Sequence, residues 1–196
     1  MFFRREKAPI DFLIVGLGNP GSEYDKTRHN SGFSALDYIS GRSGIEVNRL
    51  KHSAKVGTGV IGDKKVMLMK PQTYMNRSGL AVSDAAKYYK IPVDHIILIS
   101  DDISLDVGRV RIRRSGSAGG QKGLASVIEC LGSDGFPRIK IGVGAKPNPE
   151  YDLADWVLSK FTPSEIEKIT SRYDAVYEAI GLIMDGRIED AMQKCN

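Results

Sequence analysis

Short apolar runs alternate along this chain with stretches of helical period, and that alternation restricts the fold more than any other feature. Phe12–Leu17 and His95–Ser100 are largely apolar and too short for helices, so they read as buried strands. Asn30 or Ser31 can cap a helix running to about Ser40, with Phe33, Leu36 and Ile39 on one face. Ser78–Tyr89 and Gly120–Leu131 read as further helices, and Arg138–Val143 as a further strand. Ala54–Ile61 and Lys65–Lys70 flank the turn signal Gly62-Asp63 and read as paired strands. In Gly108–Arg114, Val110 and Ile112 alternate with arginines, the pattern of a half-exposed strand. Thr162-Pro-Ser-Glu165 is a capping box with proline at the first helical position. It opens a helix with the apolar stripe Ile166, Ile169, Tyr173, Val176, Ile180 and Ile183, ended by Asp185-Gly186, with room for a short helix beyond. The interleaving predicts an α/β fold. It is a single domain with a twisted mixed β-sheet flanked by helices, mixed because one hairpin interrupts the alternation.

A chain of 196 residues can bury a sizeable core in one domain. Residues 10–196 supply that domain, and the basic stretch 1–9 reads as a flexible N-terminal tail. The longest apolar runs are far too short to cross a bilayer, and the first residues lack a signal-peptide core, so no membrane partner is expected. Cys130 and Cys195 have neither metal nor redox spacing, which points to free thiols in the cytoplasm. A net charge of +4 favours polyanionic partners weakly.

Gly16-Leu-Gly-Asn-Pro-Gly21 spells G-x-G-x-x-G behind a strand. A dinucleotide loop would start its helix inside the motif. Here Pro20 pushes Asn19 away from helical geometry, and no helical period appears before Asn30, so no dinucleotide is expected. What distinguishes the stretch from a bare turn is its polar content: Asn19, Tyr24, His29 and Asn30 follow one buried strand, where α/β proteins place their sites. Of the three histidines, His52 lies in a polar stretch and His95 precedes a strand, settings of structural or solvated residues. His29 stands just before a helix N-terminus, whose dipole favours the neutral imidazole that a general base requires. The strand His95–Ser100 delivers Asp101-Asp102 to the same sheet edge if the two strands run parallel. Asp101 then either orients His29 or caps a turn. A third polar cluster, Lys70–Gly79, brings Tyr74, Met75 and Asn76 into a strand-to-helix loop, where Asn76 either meets a substrate or caps the helix.

The blocks "LIVGLGNPGSEYDKTRHNSGF", "PQTYMNRSG", "SDDISL", "GSAGGQKGLASVIECLGSDGFPRIKIGVG" and "DWVLSKF" resemble bacterial-type peptidyl-tRNA hydrolases, in that family's order and over nearly the whole chain. The resemblance implies a monomeric esterase without metal or cofactor. It would cleave the ester between a peptide and the 3′ ribose of tRNA and so recycle tRNA from aborted translation. It implies that His29 activates water, that Asp101 holds His29 in its basic form, that Asn19 distinguishes N-blocked from free aminoacyl-tRNA, and that Asn76 helps place the ester. Tyr24, Tyr74 and Met75 match residues that line the pocket. Hydrolysis develops an oxyanion, which neutral donors such as carboxamides can stabilise. The same resemblance admits a non-catalytic RNA-binding relative, like the chloroplast splicing factors, although His29 and Asp101 are both retained.

The family's usual "HDDLDLP" is Ser100-Asp-Asp-Ile-Ser-Leu-Asp106 here, and its "GGHNG" is Gly119-Gly-Gln-Lys-Gly123. Lys122 therefore replaces an Asn that contacts tRNA, and Ser104 replaces an Asp; a lysine donates three hydrogen bonds but accepts none. Arg109, Arg111 and Arg113 project to one face of their strand. Arg113 and Lys140 match basic positions that clamp the tRNA 5′ phosphate, a contact that positions without reading sequence; without the resemblance the arginine row reads as a solvated face.

Overall fold

The structure is a computed structural model and describes residues 9–196. All of the expected tail except Pro9 lies outside the described residues. Among the described residues seven strands form one sheet: β1 (Phe12–Gly16), β2 (Arg49–Lys51), β3 (Ala54–Ile61), β4 (Lys64–Pro71), β5 (Ile96–Asp102), β6 (Val110–Arg113) and β7 (Arg138–Gly142), in the order β2-β3-β4-β1-β5-β7-β6. The central four, β4-β1-β5-β7, are parallel, with registers such as Leu13↔Met67, Leu13↔Ile96 and Leu98↔Arg138. The outer strands run antiparallel: β3 to β4 through the hairpin at Gly62, β2 to β3, and β6 to β7. The sheet is therefore mixed, as the hairpin requires, and the parallel centre sends the carboxyl ends of β1, β4, β5 and β7 to one edge.

Strand alternation divides the interior into two cores. On one face, Ile14, Leu68, Ile97 and Ile139 pack against α1 (Ser31–Ser43), α6 (Tyr173–Met184) and α7 (Ile188–Cys195) through Leu36, Ile39, Val176, Ile180 and Ala191. On the other face, Leu13, Val15, Met67 and Leu98 meet α2 (Ser78–Tyr89) and α3 (Lys122–Leu131) through Val82, Ala85, Leu124 and Val127. Burying each such aliphatic side chain contributes roughly 1.5–3 kcal/mol. The remaining helices are α4 (Leu153–Leu158) and α5 (Pro163–Thr170). Among the described residues no helix is long and apolar enough to cross a membrane.

The start of α1 is pressed against the sheet. A Cβ on Gly32 would stand 2.5 Å from the carbonyl oxygens of Leu17 and Ile99, so only glycine lets the helix begin there. That contact fixes residues 28–30, a short 3₁₀ turn ahead of α1, at the ends of β1 and β5. The chain after Gly16 thus runs through an extended loop before its first α-helix, and the G-x-G-x-x-G stretch does not make a strand-to-helix phosphate turn.

Three expectations need correction. The stripe from Ile166 to Ile183 is not one helix; α5 and α6 are separated at Ser171 and Arg172. Thr170 Oγ1 and Ser171 Oγ donate to the carbonyls three residues back, and Arg172 N–H bonds Ile169 O, tightening that turn out of α-geometry. The helix expected from Gly120 starts at Lys122, because Gly119 and Gly120 adopt φ +57° and +84°. Asn30 stands at the N-cap of α1 but makes no capping bond with its side chain. The edge strand β2 and the helix α4 had no counterpart in the sequence reading.

Candidate active site

The carboxyl ends of β1, β4, β5 and β7 open into a cleft of about 480 Å³. Its floor carries Asn19, His29 and Asp101; Tyr74, Met75 and Asn76 form one side, and residues 118–122 with Lys140 another. Leu153, Ala154, Val157 and Leu158 of α4 supply an apolar wall.

β5 carries Asp101 to the floor, and the 3₁₀ turn before α1 carries His29 to meet it. His29 Nδ1 lies 2.9 Å from Asp101 Oδ2, with both side chains buried. A carboxylate accepts only, so Nδ1 donates, and in the neutral ring Nε2 carries the lone pair. Between the two sequence readings of Asp101, the contacts decide: its carboxylate meets His29 and Gln121 rather than the backbone of a turn. His52 and His95 are structural: His52 Nδ1 bonds Asp84 Oδ2 at 2.6 Å beside Tyr88 and Tyr89, and His95 bonds Asp11 O and stacks on Phe12.

Asn19 is fixed from two directions. Asn30 Oδ1 accepts from Asn19 N–H at 2.9 Å, and Asn30 Nδ2 donates to Asn19 O at 3.0 Å. Met75 N–H donates to Asn19 Oδ1 at 2.8 Å, so the Asn19 side chain offers Nδ2 as its donor to the cleft. Asn76 sits exposed at the rim in a 3₁₀ turn, one residue short of the N-cap of α2, so it is not the cap. Tyr74 lines the cleft, but Tyr24 does not; its ring meets Tyr74 edge-on, with centroids 6.4 Å apart.

Lys122, at the first turn of α3, is exposed and lines the cleft. Lys140 also lines it but is not a free charge: its Nζ lies 3.0 Å from Asp102 Oδ2. Ser104 N and Oγ both donate to the other Asp102 oxygen, at 2.8 and 2.7 Å. Burial works against the Asp102 carboxylate, but Ser104 and Lys140 outweigh it and hold the group below the ordinary carboxylate range. Arg113 stands outside the cleft, exposed, on the same sheet face as Lys140 and diagonal to it in the β6–β7 register.

Two contributors were missed in the sequence. Gln121 touches Asp101, and Arg28 holds the wall. The buried Arg28 guanidinium donates to Ser159 Oγ, Val143 O and Glu165, and it lies 3.8 Å over the Trp156 ring. Backbone bonds from Arg28 N to Ser159 O and from Phe161 N to Lys26 O stitch the residues just before His29 to the end of α4. The only sequence signal was the Thr162–Glu165 capping box, whose glutamate is also the partner of Arg28. Among the described residues no cluster of three or more His, Cys, Asp or Glu could hold a metal ion.

The fold and the cleft together define an α/β protein with a hydrolase-type site, a histidine–aspartate pair and carboxamides at the ends of parallel strands. The profile of the family described as peptidyl-tRNA hydrolase matches residues 13–196. The chain is 49% identical over 185 residues to the peptidyl-tRNA hydrolase of Lachnospira eligens, covering 94% of this chain and 99% of that one. It is 50% identical over 185 residues to that of Clostridium botulinum strain Alaska E43, covering 94% and 95%. The crystal structure of peptidyl-tRNA hydrolase from Acinetobacter baumannii superposes with a TM-score of 0.90 at 33% identity, covering 97% of each chain. The chain belongs to the peptidyl-tRNA hydrolase family.

Proposed function

We propose that the chain hydrolyses the ester joining a peptide, or an N-blocked amino acid, to the 3′ ribose of tRNA, with His29 as general base. The observation that carries this reading is the His29 Nδ1–Asp101 Oδ2 contact of 2.9 Å on the cleft floor. His29 Nε2 takes a proton from water as the water oxygen attacks the ester carbonyl carbon. The carbonyl oxygen becomes an oxyanion, for which Asn19 Nδ2, with Asn76 at the rim, is a neutral donor. Collapse breaks the bond to the ribose oxygen, which leaves with the proton from His29. General-base assistance of this kind is typically worth roughly 10²–10⁴-fold. An activated ester demands no more.

The apolar wall of α4 and the Tyr74 ring suit peptide side chains. Lys122 suits a contact near the tRNA 3′ end and the exposed Arg113 suits the 5′ phosphate of the acceptor stem, with Lys140 beside it already paired with Asp102. In this reading the protein acts as a monomer in the cytoplasm, on the peptidyl-tRNA released by stalled ribosomes. Purified protein incubated with N-acetyl-aminoacyl-tRNA tests it: release of the N-acetyl amino acid is expected. Binding without release would return the chain to the RNA-binding alternative.

A further inference from the structure

Gln121 is the N-cap of α3, and its side-chain oxygen accepts from Leu124 N–H at 2.7 Å. That bond settles which end of the carboxamide faces where, since an amide N–H can only donate. Nε2 is therefore turned to the cleft floor, 2.9 Å from Asp101 Oδ1 and 3.3 Å from Met75 Sδ. Asp101 now receives a donor on each oxygen, Gln121 on Oδ1 and His29 on Oδ2. A proton on Oδ1 would collide with the Nε2–H, and rotation of the carboxylate would break both bonds.

The residue type itself carries information. Helix N-caps favour Ser, Thr, Asp and Asn, whose short side chains reach back to their own backbone. Glutamine is not among them. A serine at position 121 would serve the helix but would not extend to Asp101. Gly119 and Gly120 lie at positive φ just before it. At Gly123 a Cβ would stand 2.5 Å from Met75 Sδ, so the first turn of α3 is seated directly on the Met75 side chain.

We propose that Gln121 is a positioning residue for the His29–Asp101 pair, locking the Asp101 carboxylate in the ionised, acceptor-only orientation that keeps His29 Nε2 free to take a proton. This rests on the reading of His29 as the base. The charged groups around the pair are Asp101 and Asp102 of β5, Lys140 of β7, Lys122 of α3 and Asp152 ahead of α4. Asp102 and Lys140 neutralise each other.

Two variants separate positioning from capping. Gln121→Ser keeps a good cap and removes the donor. It should retain the wild-type Tm to within about 2 °C while kcat falls on the order of tenfold at unchanged KM, the effect of one charge-assisted hydrogen bond. Gln121→Glu keeps the cap acceptor and sets a second carboxylate against Asp101. The His29 imidazole titration, followed by NMR without substrate, should then move up by about one pH unit. The acid limb of kcat/KM should move with it. If Gln121→Ser keeps wild-type kcat, and the His29 titration of Gln121→Glu overlays that of wild type, Gln121 is only a helix cap. Should Gln121→Ser not fold, the Glu variant and its titration decide alone. Because the titration needs no turnover, a wild-type protein that released no peptide would overturn the enzymatic reading and leave the question of Gln121 still answerable.

Discussion

The carboxamide of Asn30 grips the backbone of Asn19 at both its N–H and its carbonyl, across eleven residues of sequence. The grip closes the loop that follows β1 and sets the Asn19 side chain against Met75 N–H. Both groups on Asn19 are buried, so losing their partner is costly, about 1–3 kcal/mol for each orphaned group. Asn30→Ala should therefore lower the Tm by roughly 5 °C or more for a protein of this size. At 25 °C the protein stays folded, yet kcat/KM should drop, since the donor on Asn19 is no longer fixed. Calorimetry and the peptide-release assay check both; an unchanged Tm would mean that water replaces Asn30 without penalty.

His29→Ala should reduce turnover by two or more orders of magnitude while circular dichroism and tRNA binding stay near wild type. Asp101→Asn should also be severely impaired, because its carboxamide no longer supplies the negative charge facing the imidazolium that forms in turnover. Asp102→Asn should be milder, since Asp102 faces Ser104 and Lys140 and not His29. The three single variants, assayed side by side on one N-acetyl-aminoacyl-tRNA, rank the two neighbours. A silent Asp101→Asn beside a damaging Asp102→Asn would reverse the assignment.

The strands were legible because a short apolar run has few alternatives in a chain without membrane-length segments; Phe12–Leu17 and His95–Ser100 became the centre of the sheet. The capping box at Thr162 was legible because its two reciprocal bonds are local. The candidate site was legible where one residue type points to the chemistry, as at His29, which lies on the cleft floor against Asp101. It was not legible where a common residue acts at long range. Asn30 looked like a cap because caps are the usual work of an asparagine before a helix. Gln121 was hidden by a helix boundary set two residues too early; its extended backbone and its cap bond to Leu124 N–H place it before the helix. Arg28 had only the indirect signal of the Thr162–Glu165 capping box, because its partners Val143, Ser159 and Glu165 lie more than a hundred residues away.

Glu165 gives stability a pH dependence. Burial opposes its charge, but the Thr162 backbone N–H and the Arg28 guanidinium hold its carboxyl below the ordinary value of 4.5. A depressed carboxyl contributes stability that is fully present above the unfolded value and is lost as pH falls through the folded one. The Tm of Glu165→Gln should thus lie below wild type at pH 7, and the gap should close as both proteins are taken below about pH 4. Parallel melting curves across pH 3–8 measure it. A gap that stayed constant with pH would assign the loss to the capping box alone, not to the charge facing Arg28.

The basic face tests how the substrate is held, and the structure separates residues that the sequence grouped together. Arg113 is exposed beyond the cleft, whereas Lys140 is already paired with Asp102 inside it. A phosphate contact releases counterions, so removing one should flatten the salt dependence of tRNA affinity by about 0.7–0.9 in log–log slope. Arg113→Ala should show that change, raising KM for whole peptidyl-tRNA while leaving kcat and a minimal substrate without the 5′ phosphate untouched. Lys140→Ala should behave differently. It leaves the Asp102 carboxylate, mostly enclosed, without its cation, so some destabilisation and a loss on both substrates should accompany any change in slope. Lys122→Ala, at the cleft mouth, should weaken both substrates without the destabilisation. Equal effects of Arg113→Ala on whole tRNA and on the minimal substrate would remove the 5′-phosphate role and leave the arginine row as a solvated edge.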